Sequence, residues 1–275
     1  MAFKIAHAAG HCLTTAGKRL PKELDKNQTR EWVLNDRIAR HFADAATQYD
    51  SVELLRLDDP TGKAGHPVEA RAKDANAWGA DFLIEFHHDA GINLGKGGGI
   101  VAFCHKENTK GATYRDAIYD ACIAAGGLKG NRVTPKQAKA YSILKNFKGA
   151  GVLMEYGFMD SKTDAPVILT DAYSKLVAYA TMEGIAKVAG LKKKAANQQM
   201  CSVDLPILTK GDQGEAVKAM QILLISRGFN LSASGATGKF GDTTEKALIA
   251  FKEMHELTVS GKCGAITWAK LLGVN

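Results

Sequence analysis

Two histidines and two glutamates in this chain have the residue types and surroundings that chemistry needs. His11 lies in Ala8-Ala-Gly-His11 just past the alternating stretch Phe3-Lys-Ile-Ala6, Glu31 opens a helical pattern, and His87 closes the very apolar run Phe82-Leu-Ile-Glu-Phe-His87. Two imidazoles and a carboxylate are what a catalytic zinc ion requires, with three protein ligands at about 2.0–2.2 Å and a fourth tetrahedral position left to water. The second carboxylate, Glu155, ends the apolar run Val152-Leu-Met-Glu155. Buried and unpaired it would be costly, so it is expected to face a crevice, where it is a candidate acid/base. The sequence holds no H-E-x-x-H, phosphate-binding glycine loop or G-x-S-x-G elbow, so the candidate set is distributed along the chain.

Such a set works only if the fold gathers it. Short apolar or β-branched runs, at Phe3 to Ala6, Ser51 to Leu57, Asp81 to His87, Gly99 to His105 and Gly151 to Glu155, alternate with helical patterns. That alternation predicts an α/β fold, a twisted and mostly parallel sheet flanked by helices. Groups just beyond strand ends in such a sheet converge on one crevice, which places the zinc site at strand ends. Residues 31–49 put Leu34, Ile38, Phe42 and Ala45 on one helical face, which should pack on the sheet. The segment His66 to Trp78 reads as a second helix with Pro67 in its first turn.

The clearest break in composition is the polar, basic run Leu191-Lys-Lys-Lys-Ala-Ala-Asn-Gln-Gln-Met200. It divides the chain into a catalytic region, 1–190, a linker, 191–204, and a small all-α region, 205–275. In the last, Gly238-Lys-Phe-Gly-Asp-Thr-Thr244 and Gly261-Lys-Cys-Gly-Ala-Ile-Thr267 agree at four of seven positions, as a duplicated turn-and-helix unit would. Helical faces follow at Val217, Met220 and Leu224, and at Ala247, Leu248 and Phe251.

The 275 residues, 45% hydrophobic and 24% charged, suit a globular protein that buries its core without staples. No apolar run approaches the roughly 18 residues of a membrane span, so no membrane insertion is expected. Five scattered cysteines with no C-x-x-C pair argue against a disulfide framework or a thiolate zinc finger. The net charge of +7 calls for an acidic partner, whether nucleic acid, an anionic membrane surface or an anionic cell-wall polymer. Nucleic acid is the weakest of these, because no recognition fold or basic-aromatic platform is visible.

The order Gly-His11, Glu31-x-x-x-Asn35, His87-x-Asp-Ala90 and Val-Leu-Met-Glu155-x-Gly-Phe158, preceded at the second histidine by Ala70-Arg-Ala-Lys-Asp-Ala-Asn76, resembles the zinc-dependent N-acetylmuramoyl-L-alanine amidases of the amidase 3 family. The resemblance spans residues from about 3 to 189. It implies that His11, Glu31 and His87 are the zinc ligands, that Glu155 is the catalytic glutamate, and that the register falls on His87 rather than His88. Cys12 and Asp89 depart from the family's usual Gly and Asn without removing a ligand. Cys12 as an extra ligand, Glu31 as a plain helix-start carboxylate and Glu155 as a buried ion-pair partner are the competing assignments. His88 is left between a supporting and a substrate-facing role, since strand neighbours point to opposite faces.

Lys210-Gly-Asp-Gln-Gly214-Glu-Ala-Val217-Lys-Ala-Met-Gln221, Gly238-Lys-Phe-Gly241 with Thr244, Ala247 and Phe251, and Gly261-x-x-Gly264-x-x-Thr267-Trp268 with Leu271 together resemble the type 1 peptidoglycan-binding domain. Lys252 stands where that family often has Gln. The two resemblances imply a peptidoglycan amidase that cuts between N-acetylmuramic acid and L-alanine, with peptidoglycan as its partner. No secretory signal is read at Met1 to Ala6. The expected setting is therefore a phage or prophage endolysin, held in the host cytoplasm before lysis and acting at the wall after release, with a bacterial autolysin exported by a non-standard route as the second. A zinc peptidase acting on the stem peptide and a non-catalytic wall-binding protein are the alternatives.

Overall fold

The computed structural model describes residues 2–194, 205–231 and 235–273, in two compact units, Met1–Ala196 and Asn197–Asn275. Most of the expected linker, from 195 to 204, and Cys201 with it, lies outside the described residues.

In the first unit the chain runs β1 (Phe3–Ala9), α1 (Glu31–Ala46), β2 (Val52–Arg56), α2 (Val68–Trp78), β3 (Phe82–Asp89), β4 (Val101–Cys104), α3 (Lys110–Ala124), β5 (Lys136–Ala138), α4 (Ser142–Asn146), β6 (Ala150–Phe158), α5 (Ala165–Ile168) and α6 (Asp171–Ala189). The strands form one sheet in the order β2-β1-β3-β6-β4-β5. The first four are mutually parallel; β4 runs antiparallel to β6, and β5 follows β4. The mostly parallel α/β sheet read from the sequence is therefore present. The three-residue β5 falls in a polar segment with no apolar alternation to announce it. Pro67 occupies the N-cap of α2 rather than its first turn, which suits a residue whose fixed φ of −55° leads into the helix.

Strand alternation sorts side chains between two cores. Phe82, Ile84 and Phe86 face α1, α3 and α6, together with Leu34, Ile38, Phe42, Ile118, Val177 and Ile185. Leu83 faces the opposite side with Leu153, Ala72, Ala75, Ile143 and Leu144, under α2 and α4. The period of two then puts Glu85 and His87 on this second face and His88 on the first. Helix α6 approaches α3 closely because Gly184 has no side chain, where a Cβ would lie 2.6 Å from the Ile118 Cα.

The second unit contains α7 (Glu215–Ser226), α8 (Asp242–Met254) and α9 (Ala265–Leu272) around Val217, Met220, Leu224, Leu248, Phe251, Trp268 and Leu271. The repeated turn is repeated in structure. Gly241 and Gly264 cap α8 and α9 with nearly identical backbone angles, φ −103° and −101°, and Thr244 and Thr267 are both buried one turn on. Gln221 binds the first turn, donating to the Lys239 carbonyl and accepting from Gly238 N–H. Lys252 binds the second, donating to the Ser260 and Lys262 carbonyls.

Candidate metal centre

Three parallel strands carry the candidate residues to one end of the sheet. His11 follows β1 by two residues, and Gly10 N–H donates to the Phe86 carbonyl, locking the end of β1 beside His87. A Cβ at Gly10 would stand 2.1 Å from the His87 Cε1, so only glycine lets the strand end lie against the ring. His11 itself sits at φ +67°, a left-handed conformation rare outside glycine and associated with functional sites. His87 and Glu155 are register partners across β3 and β6. The strands run past both residues, to Asp89 and Phe158, with a register shift after His87.

Glu31 reaches the same point from the first residue of α1 and is fully buried. His11 Nε2 is 3.4 Å from Glu31 Oε2, and His87 Nδ1 is 3.2 Å from Glu31 Oε1. Ligands bound at about 2.0–2.1 Å to one tetrahedral ion stand about 3.3 Å apart, so this donor set fits a metal such as zinc. One donor atom from each of the three residues lies within 4.8 Å of the others. Glu31 Oε2 is buried and makes no hydrogen bond, although Lys18 Nζ approaches to 3.4 Å, which is the condition of an oxygen that a cation would satisfy.

The charges follow from this packing. Burial lowers the His11 pKa to about 4 against the pull of Glu31, so its imidazole is neutral and able to bind metal at physiological pH. Burial raises the Glu31 carboxyl, but the hydrogen bond and charge of His87 outweigh it and hold the carboxyl well below its ordinary value. Burial likewise opposes protonation of His87, yet hydrogen bonds to Glu31 and Glu85 hold its proton well above the usual imidazole range. A metal would displace that proton. Glu155 is pushed up to about 8, chiefly by burial and against the His87 charge, and its Oε2 has no hydrogen-bond partner.

His11, His87 and Glu155 line a cleft of about 550 Å³ whose walls are Thr15, Lys18, Pro67, Val68, Arg71, Tyr141, Ile143 and Leu153, with Glu31 buried behind it. Cys12 also lines it but turns its Sγ to the Thr14 and Thr15 hydroxyls, at 3.3 and 3.2 Å, apart from the metal donors. His88 resolves against the substrate-facing role. It is buried on the α1 side of the sheet, its Nδ1 2.8 Å from Asn35 Oδ1. The Asn35 amide donates to Glu31 Oε1 and to the Gly10 carbonyl, so His88 and Asn35 support Glu31 from behind. Sequence reasoning passed over Glu85 and gave Arg71 only a place in a motif. The available signal was a lone carboxylate in an otherwise apolar strand, two residues from His87 and therefore on its face.

The model of the N-acetylmuramoyl-L-alanine amidase family, amidase 3, matches residues 5–187. The chain belongs to this amidase family. A second family model, that of a peptidoglycan binding domain, matches residues 213–271. The amidase region is 27% identical over 147 residues to the N-acetylmuramoyl-L-alanine amidase CwlM of Bacillus licheniformis, covering 53% of this chain and 54% of that one. It is 29% identical over 140 residues to an endolysin of Bacillus phage SPP1, covering 50% of each. The chain thus spans about half the length of the curated relatives it matches. Among solved structures, an N-acetylmuramoyl-L-alanine amidase from Clostridium difficile 630 superposes with a TM-score of 0.61 at 19% identity, covering 69% of this chain and 97% of that one. The catalytic domain of the CD27L endolysin superposes at 0.52 and 22% identity, covering 67% and 97%. These structures share the amidase fold.

Proposed function

We propose that this chain is a zinc-dependent N-acetylmuramoyl-L-alanine amidase, hydrolysing the amide between the lactyl group of N-acetylmuramic acid and L-alanine of peptidoglycan. The observation that carries the reading is the convergence of His11, Glu31 and His87 within 4.8 Å, with Glu155 the register partner of His87. His11, Glu31 and His87 would hold the ion, which when bound supplies Lewis-acid activation of water and of the amide carbonyl. Glu155, half-buried at the cleft and raised in proton affinity, accepts the proton of the attacking water and returns it to the departing amine. Without that proton the amine is a very poor leaving group. Tyr141, Ile143 and Leu153 give the cleft an apolar lining, and Lys18 brings a cation beside Glu31.

Residues 1–190 would form the catalytic domain and 205–275 a wall-binding domain that raises the local enzyme concentration on an insoluble polymer. The likeness to a phage endolysin supports a lytic role after release from a host cytoplasm. Among the described residues no helix is long and apolar enough to cross a membrane. The net charge of +7 favours anionic wall polymers as secondary partners.

Digestion of purified peptidoglycan and analysis of the new ends tests the reading. Free L-alanine amino groups beside intact muramic acid are expected. New D-amino-acid termini would assign a peptidase, new reducing sugars a glycosidase, and no new ends a binding protein.

A further inference from the structure

Glu85 has no part in the chemistry above, yet it is one of the most enclosed charges in the protein, at 1% exposure in the middle of the sheet. Its two oxygens accept from Arg71 Nη1 at 2.8 and 2.9 Å, and Arg71, on α2, is itself 6% exposed. Its Oε2 also lies 3.1 Å from His87 Nε2. The His87 ring is therefore held at both nitrogens, Nε2 against Glu85 and Nδ1 3.2 Å from Glu31 Oε1. A carboxylate can only accept, so Nε2 carries a hydrogen beside Glu85, and once a metal displaces the proton on Nδ1 the lone pair falls there, on the nitrogen facing Glu31 and His11.

We propose that Glu85 is a positioning residue, fixed by Arg71, that selects the Nδ1-ligating tautomer of His87 and aims its ring at the metal. This rests on the reading of His11, Glu31 and His87 as a metal centre. A buried carboxylate and guanidinium are expensive to desolvate, and packing alone would be met as well by an apolar pair. What an apolar pair cannot do is hold Nε2–H. Arg71 also offsets the Glu85 charge, so the ring is oriented without further negative charge at a site that already holds Glu31 and Glu155. Metal-binding histidines oriented in this way by a carboxylate typically lose ten- to hundred-fold in metal affinity when it is removed.

The test measures zinc affinity by chelator competition and the His87 tautomer by ring ¹⁵N shifts, on the full chain, for the wild type, Glu85→Leu and Glu85→Gln. Circular dichroism of the metal-free proteins monitors folding. Glu85→Leu is expected to weaken zinc binding by at least ten-fold and to give a mixture of His87 tautomers. Glu85→Gln, whose amide oxygen can still accept Nε2–H, should recover most of the affinity. If Glu85→Leu does not fold, a pure Nδ1-ligating tautomer in the wild type together with a weakened but detectable Nε2–H bond in Glu85→Gln supports the assignment. Wild-type tautomer and affinity within two-fold in folded Glu85→Leu, or a wild-type His87 that ligates zinc through Nε2, overturns it while leaving the metal centre intact. A wild-type protein that binds no zinc overturns both.

Discussion

His87 and Glu155 stand opposite one another in adjacent parallel strands, so the proposed metal ligand and the proposed proton carrier are set by a single register of β3 on β6. Their relation is a backbone property, and removing either side chain should leave the sheet standing. Glu155→Gln is therefore expected to keep zinc within about two-fold of the wild type while lowering turnover by about 10²–10⁴-fold, the usual contribution of a positioned acid/base. Metal analysis and a peptidoglycan-release assay on the same preparation measure both, and near-normal turnover would remove Glu155 from its assigned role.

The contact between Gly10 and His87 sets a second expectation. A methyl at residue 10 would meet the ring at 2.1 Å, and strand pairing leaves the backbone little freedom to retreat. In Gly10→Ala the ring must move, and zinc affinity should fall by about ten- to hundred-fold, the range seen when ligand orientation is lost. Chelator competition reads it, and unchanged affinity would show that the ring has room the packing does not reveal.

His7 links the fold to pH. It is buried between Phe42 and Phe86, and burial, aided by the Arg56 charge and opposed by Asp58, lowers its pKa from 6.5 to about 4. Between those values the unfolded chain binds a proton that the folded chain refuses. The contribution of His7 is complete above pH 6.5 and is lost as pH falls toward 4, amounting to about 3 kcal/mol at about 1.4 kcal/mol per unit. In His7→Leu the slope of unfolding free energy against pH over this window should flatten by up to one proton. Denaturant titrations at several pH values measure it, and parallel slopes would contradict the assignment.

Lys252 is expected to act as a structural tie in the second unit. Its ammonium donates to the Ser260 carbonyl and hydroxyl at 3.1 and 2.8 Å and to the Lys262 carbonyl at 2.5 Å, the role that Gln221 performs for the preceding turn. Lys252→Met leaves those carbonyls without their donor and should cost about 1–3 kcal/mol. Hydrogen exchange across 258–264 in the full chain should quicken accordingly, and exchange at the wild-type rate would mean that the turn holds itself.

Much of the fold and the site was legible because short-range rules carry it. Apolar runs of strand length marked all five longer strands, and the face through Leu34, Ile38 and Phe42 marked α1. The repeated glycines at 241 and 264 marked the two similar helix starts, because turns of that shape ask for the same residues twice. The rest was hidden for stated reasons. The strand β5 is only Lys-Gln-Ala and exists because β4 offers it an edge. The antiparallel direction of β4 leaves no trace in its own composition.

By itself the sequence determined which side chains were available for chemistry and, through strand alternation, that Glu85 and His87 share one face and His88 takes the other. Only the tertiary structure decided that His11, Glu31 and His87 meet within 4.8 Å, that His88 stands behind Glu31 through Asn35, and that Glu85 is held by Arg71 against the His87 ring. The physical reason is range. Periodicity and turn chemistry act over a few residues, whereas contacts such as Arg71 with Glu85 and Glu31 with His88 join positions 14 and 57 residues apart and are set by strand order, strand register and the packing of α1 and α2 on opposite faces of the sheet.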